Sequence, residues 1–195
     1  MLIENLIHNL NFQGYSVIEN FLSPSDVLIV NEEISSLQKD QAFREASIAS
    51  HLRTESIRCD WTHWWEMESL TPVQKSIFSK LEDLKSALNQ SLYLGLWDFE
   101  GHYAIYPTGA FYKKHLDRFK TDDRRKLSVV LYFNESWKIN DDGGALEIET
   151  QNGELARVSP DAGTLVCFLS ETTPHQVLQT HRERKSFAGW YRTRA

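Results

Sequence analysis

The chain has 195 residues, 41% of them hydrophobic and 25% charged, with a net charge of -6. It is long enough to bury a core as one domain of ordinary composition, and its acidic balance argues against a nucleic-acid partner, because binding phosphates needs a cationic face. Cys59 and Cys167 make neither a disulfide framework nor a zinc ribbon, and there is no leader-like start or long apolar stretch, so a cytoplasmic protein with no membrane partner is expected.

Leu2, Ile3, Leu6, Ile7 and Leu10 recur at three- and four-residue spacing, which predicts a first helix ended by Gly14. YSVIENFL at 15–22 alternates and is β-branched enough for a strand. Ser23-Pro24 opens a second helix, with serine as N-cap and proline in the first turn; its apolar positions include Val27, Val30, Ile34 and Leu37. Residues 40–58 carry little pattern and read as a mobile loop. Thr71-Pro72-Val73-Gln74 is a capping-box start for a third helix, followed by Ile77, Phe78, Leu81, Leu84 and Leu88.

From about residue 93 the character changes. LYLGLW, HYAIYP, KLSVVLYFN, GGALEIET, ELARVSP, GTLVCFLS and KSFAGWYRT are short apolar segments separated by Gly, Asn and Asp. They predict a β-sandwich or jelly roll, buttressed by the preceding helices. In GGALEIET, Leu146 and Ile148 share one face and Glu147 and Glu149 the other. The expectation is a mainly β (α+β) fold over 1–195 as one domain, with 1–92 as helical support and 93–195 as the jelly-roll core.

The chemistry concentrates in HLDRF at 115–119 and PHQVLQTHRERKSFAGW at 174–190. Two imidazoles and one carboxylate can occupy one face of an octahedral iron(II), leaving three positions for an oxo-acid and dioxygen. His115 and Asp117 would point to one side of a strand, although Lys113 then shares the face of His115 unless a bulge intervenes. His175 lies sixty positions on, after a strand-like run and Pro174. On a following strand, Arg184, Ser186, Ala188 and Trp190 share a face, and an inward arginine is costly unless it meets an anion. The blander alternative pairs Arg184 with Glu147 or Glu149, and a one-residue slip would put Lys185 in its place. Tyr132 shares a face with Ser128 and Val130; its phenol either bonds the same anion or fills the core. Of the 21 Lys and Arg, seven fall in 113–126 and five in 182–194, forming either a solvated edge or a cationic rim that draws an acidic ligand.

H-x-D, a distant His and R-x-S-x-x-G-W together resemble the Fe(II)- and 2-oxoglutarate-dependent dioxygenases. Within them the chain is most similar to the prolyl 4-hydroxylases of the oxygen-sensing type and their bacterial relatives. QGYSVIENFL, IRCDWTHWW, YPTGAFYKKHLDRF, RKLSVVLYFNESW, DDGGALEIET and PHQV…RKSFAGW follow in the family's order, over nearly the whole chain. The resemblance implies a double-stranded β-helix, with His115, Asp117 and His175 binding iron and Arg184 pairing with the distal carboxylate of 2-oxoglutarate. It implies Tyr132 bonding that carboxylate, Tyr106 lining the cosubstrate pocket and Trp190 packing beside it. Arg58, Asp60 and Arg125 match positions that shape the substrate entrance, and 40–58 matches a loop that closes over bound peptide. The cofactors implied are Fe(II), 2-oxoglutarate and dioxygen, with ascorbate as a stimulant. The substrate implied is a prolyl residue in a protein, translation factors and ribosomal proteins among the candidates. Between Tyr106 and His115 the chain is about one residue shorter than the animal sensors, and Trp61–Trp65 is richer in tryptophan. Other readings are the same chemistry on a free amino acid or small metabolite, a jelly-roll binding module without catalysis, and a zinc hydrolase, which leaves Arg184 without a purpose.

Overall fold

Three long helices and two antiparallel sheets make up the fold in the computed structural model, which describes residues 2–46, 57–118 and 123–194. Helix α1 (Leu2–Gln13) buries Leu6 and Leu10 and ends on Gly14, whose φ of +80 is a left-handed conformation that glycine adopts without strain. Helix α2 (Pro24–Lys39) starts with a reciprocal cap in which the Ser23 hydroxyl accepts from the Asp26 amide and the Asp26 carboxylate from the Ser23 amide. Helix α3 (Pro72–Leu92) repeats the device with Thr71 and Gln74. Glu33 ties these layers together, accepting hydrogen bonds from Thr71 (2.5 Å), Gln74 (2.8 Å) and the Tyr103 phenol (2.9 Å).

The strands are β1 (Tyr15–Ile18), β2 (Arg44–Glu45), β3 (Trp61–Trp64), β4 (Leu96–Tyr106), β5 (Tyr112–His115), β6 (Arg125–Tyr132), β7 (Leu146–Glu149), β8 (Leu155–Val158), β9 (Leu165–Leu169), β10 (His175–Val177) and β11 (Arg184–Thr193), with a short helix α4 (Ile139–Asp142). They form a seven-stranded sheet in the order β1-β9-β6-β11-β4-β3-β2 and a four-stranded sheet in the order β5-β10-β7-β8. The sandwich read from the sequence is therefore present, buttressed by the helices on one face.

The large sheet is apolar on both sides because each side has a cover. Along β6, Leu127, Val129 and Leu131 join the helix-side core, whereas Val130 and Tyr132 join the core between the sheets with Leu146, Ile148, Val166 and Phe168. That double burial is why SVVLYF shows no clean alternation of polarity.

Some element boundaries differ from expectation. The strand expected over 15–22 stops at Ile18, because the chain turns at Asn20 (φ +55) and the Leu22 amide bonds Gly163 instead. LYLGLW does not form a separate strand: Leu92 ends α3, Tyr93 and Gly95 take left-handed conformations, and one continuous strand then runs from Leu96 through HYAIY. Within 40–58, Arg44 and Glu45 pair with Thr62 and Trp61 as the edge of the large sheet. A two-residue strand is too short to show any periodicity. The mobile loop expected there falls largely on 47–56, outside the described residues.

Gly101 and Gly189 lie directly opposite each other on β4 and β11. A Cβ on Gly101 would run into the Phe187 ring, and one on Gly189 into the Phe99 ring. Those two rings stack with centroids 6.0 Å apart. Gly101→Ala should therefore cost about 1–3 kcal/mol of stability through overpacking, measurable as a lower urea midpoint at unchanged slope.

Candidate active site

The two sheets enclose a cavity of ≈ 150 Å³. The large sheet contributes Ala104 and Tyr106 of β4, Val130 of β6, and Arg184, Ser186, Ala188 and Trp190 of β11. The small sheet contributes Tyr112 and His115 of β5, Leu146 of β7, and His175 and Val177 of β10.

His115 and His175 are cross-strand partners on β5 and β10. The next partners are Tyr112 and Val177, so β5 holds one extra residue there. This is the bulge that separates Lys113 from the face of His115. Asp117 does not share the strand: β5 ends at His115 and the carboxylate comes from the segment just beyond it. What holds Asp117 is its surroundings. Ser128 donates to Oδ2 at 2.7 Å, Ser170 sits 2.8 Å behind Ser128, and Arg125 donates to the Asp117 carbonyl at 3.4 Å. One ligand-type atom from each of His115, Asp117 and His175 falls within 4.8 Å of the others.

The two imidazoles are oriented alike. Nδ1 of His115 bonds the Lys113 carbonyl (2.8 Å) and Nδ1 of His175 the Thr173 carbonyl (3.0 Å). A carbonyl only accepts, so each Nδ1 donates to it and each Nε2 is left as the nitrogen that turns toward Asp117 and could bind a metal. The Nε2 atoms lie 3.4 Å and 3.6 Å from the two Asp117 oxygens. Burial works against the Asp117 carboxylate, but His175, His115 and Ser128 outweigh it and hold its pKa well below the usual range. Burial also lowers His175 below its ordinary value despite the pull of Asp117. Two imidazoles presenting Nε2 and one carboxylate on one side of a cavity suit a ferrous ion with open positions.

Arg184 is 1% exposed. Its Nε bonds the Gly144 carbonyl at 2.9 Å and its Nη1 the Ser186 hydroxyl at 3.2 Å. Its guanidinium lies 5.0 Å from the Tyr106 ring and 4.9 Å from the Tyr132 ring. Among the described residues no carboxylate comes within ion-pair distance of it. The bland pairings are excluded by other partners: Glu147 takes Arg157 and Gln176, and Glu149 takes Lys114. Lys185 turns away from the cavity and sits 3.6 Å from Glu183, which settles the register in favour of Arg184. Tyr132 lies beside Arg184 between the sheets; its hydroxyl has no partner, and burial pushes its pKa up to about 12 against the opposing effect of Arg184. A buried guanidinium beside an unpartnered phenol fits the carboxylate of a small organic acid.

At the entrance, Arg58 grips Asp60 through two bonds of 2.7 Å and 2.6 Å and lies over the Tyr112 ring. Arg125 stacks on Trp190 at 3.7 Å and pairs with Glu100 at 2.8 Å. Trp64 (48% exposed) and Leu116 (45%) rim the mouth. The cations of 113–126 largely meet acids on the surface, as Lys114–Glu149, Arg118–Glu171 and Lys126–Glu171. A wider groove of ≈ 760 Å³, lined by Phe43, Trp61 and Pro107 among others, holds none of the triad.

Of the residues proposed from sequence, His115, Asp117, His175, Arg184, Tyr106, Trp190, Arg58 and Arg125 line this cavity, Tyr132 packs against Arg184 and Asp60 braces Arg58. Reasoning from sequence missed the parts played by five. Tyr112 stacks on His115 with centroids 3.6 Å apart. Ser128 and Ser170 brace Asp117. His102 lies on the cavity wall two and four residues before Ala104 and Tyr106, so alternation along HYAIY was the available signal. Gly144 has φ +66, and a Cβ there would press on the Arg184 side chain at 3.1 Å.

Residues 101–192 match the model of the 2OG-Fe(II) oxygenase superfamily. A prolyl-4-hydroxylase of Pseudomonas putida is 39% identical to this chain, and its crystal structure superposes with a TM-score of 0.90 over 100% of both chains. A Trichoplax adhaerens prolyl hydroxylase, in complex with a hypoxia inducible factor oxygen degradation domain peptide fragment, matches at 25% identity and a TM-score of 0.90, over 98% of this chain and 89% of that one. A hypoxia-inducible factor prolyl hydroxylase of Caenorhabditis elegans is 27% identical over 96% of this chain, which spans only 28% of that protein.

Replacing either imidazole removes one of three ligands. His115→Ala and His175→Ala should each weaken Mn(II) binding by at least about tenfold, read by isothermal titration, while far-UV circular dichroism stays unchanged. Wild-type affinity in either variant would remove that histidine from the ligand set.

Proposed function

This chain belongs to the 2OG-Fe(II) oxygenase superfamily and is of the prolyl hydroxylase type, and from that premise we propose that it uses Fe(II), 2-oxoglutarate and dioxygen to hydroxylate a prolyl residue in a protein. The observation that carries the reading is Arg184, a buried cation with no acid partner among the described residues, in the same cavity as the His115–Asp117–His175 cluster. A charge so placed is costly until an anion arrives. A zinc hydrolase would have no use for it.

His115, Asp117 and His175 would hold the iron, with Ser128 and Ser170 fixing the carboxylate and the two backbone carbonyls fixing the rings. Iron, when bound, supplies the dioxygen activation that couples decarboxylation of 2-oxoglutarate to hydroxylation. Arg184 would pair with the distal carboxylate of 2-oxoglutarate, and the unpartnered Tyr132 hydroxyl would donate to the same group. Tyr106 walls the cosubstrate and Trp190 closes the side of the cavity under Arg125. Together these groups orient the cosubstrate and exclude water. Arg58, braced by Asp60, and Arg125 shape the approach of the substrate.

A polypeptide substrate is supported by the mouth. Trp64 and Leu116 present apolar surface there, suited to an extended segment, and the structure of the T. adhaerens relative is of a complex with a peptide fragment. Translation factors and ribosomal proteins are among the candidate targets, and ascorbate is expected to stimulate turnover.

The test is iron-dependent conversion of 2-oxoglutarate to succinate, joined to a comparison of proteomes with and without the protein for prolines heavier by one oxygen atom. Arg184→Ala should raise the KM for 2-oxoglutarate by at least about thirtyfold, as expected for breaking a buried charge pair, and leave Mn(II) affinity within about threefold. Equal losses of both would make the arginine structural.

A further inference from the structure

His102 has no part in the reading above, yet it lines the same cavity as the His115–Asp117–His175 cluster. It is 3% exposed and is flanked in the sheet by Trp64 on β3 and Ala188 on β11. Its ring meets Trp64 at 4.7 Å and Trp190 at 5.5 Å between centroids. On the far side of Trp64 lies a second cavity of ≈ 260 Å³, lined by Ala42, Glu45, Thr62 and His63 among others. The two cavities share three residues, Arg58, Trp64 and His102. His102 is thus part of the wall between them.

Its protonation state follows from its contacts. Nδ1 lies 3.1 Å from the Tyr103 carbonyl, which can only accept, so Nδ1 carries the hydrogen. Burial lowers its pKa to about 4, against the pull of Asp60, so the ring is neutral near pH 7. Nε2 therefore keeps a lone pair. No described residue satisfies that lone pair. The Tyr132 hydroxyl and the Trp190 indole nitrogen are buried without partners; His102 Nε2 is not among such fully buried atoms and belongs to a side chain that borders both cavities. A buried acceptor kept open toward a ligand channel calls for a donor on the ligand.

We propose that His102 reads the substrate: its Nε2 accepts a hydrogen bond from a backbone N–H flanking the target proline, where the polypeptide crosses from one cavity to the other. The donor must come from a neighbouring residue, because a prolyl nitrogen carries no hydrogen. The inference rests on the prolyl hydroxylase reading and adds a specificity-determining residue to it.

A two-by-two comparison tests it. A library of capped prolyl pentapeptides is screened with the wild-type protein for hydroxylation. The best peptide is then remade with each backbone amide N-methylated in turn. Dissociation constants are measured anaerobically, with Fe(II) and 2-oxoglutarate present, for the wild type, His102→Leu and His102→Gln. For one amide, methylation should weaken binding to the wild type by about tenfold but to His102→Leu by less than about threefold. His102→Gln, whose carbonyl can accept, should recover part of that sensitivity. Equal methylation penalties in the wild type and His102→Leu at every amide would overturn the inference while leaving prolyl hydroxylation standing. A wild type that hydroxylates no peptide of the library would overturn the substrate reading, and this inference with it.

Discussion

The pairing of β5 with β10 is the contact on which the site depends. It sets His115 opposite His175, sixty positions away in the chain, and the extra residue on β5 turns the first imidazole toward the second. Asp117 then needs only to bend back from the strand end, where Ser128 on the other sheet catches it. The three ligands thus come from the small sheet and the segment just beyond β5, and the large sheet braces them from across the gap through Ser128. A cluster built this way is preorganised: the hydrogen bonds that orient its rings go to backbone carbonyls, that of Lys113 within β5 and that of Thr173 just before β10.

The interior between the sheets carries polar groups that a core built for stability alone would lack. Ser128, Ser170, Asp117, His175 and Arg184 are all buried there. The serines and the carboxylate satisfy one another. Arg184 is only half satisfied, by one carbonyl and one hydroxyl, and Tyr132 is left without a partner. Such incompleteness is tolerable because the other core, between the helices and the large sheet, is almost wholly apolar and is fastened by Glu33 to α3 and to β4. Stability and recognition are separated onto the two faces of one sheet: along β6 the odd-numbered leucines and Val129 face the helices, and Ser128, Val130 and Tyr132 face the cavity.

The legible parts of the sequence were those in which local chemistry forces a local outcome. Ser23-Pro24 and Thr71-Pro72-Val73-Gln74 start helices because a hydroxyl N-cap and a fixed proline φ leave little choice. Gly14 ends a helix because the left-handed region favours glycine. Arg184 stood out because an arginine in register with Ser186 and Ala188 has nowhere to go but inward. The illegible parts depended on distant neighbours. Arg44–Glu45 is a strand only because Trp61 and Thr62 lie beside it. YSVIENFL loses its second half because Leu22 finds Gly163. The split expected between LYLGLW and HYAIYP vanishes because β11 pairs along the whole length of β4.

By itself the sequence determined which residue types could meet an iron ion and an oxo-acid, and the order of elements that would carry them, because spacing, caps and alternation are properties of a chain. Only the tertiary structure decided that His115 faces His175 across a bulge, that Asp117 is held from the opposite sheet, that Arg184 and not Lys185 points inward, and that His102 stands between two cavities. Those outcomes rest on strand register, and register is fixed by partners far away in the sequence: a shift of one residue turns every side chain to the other face.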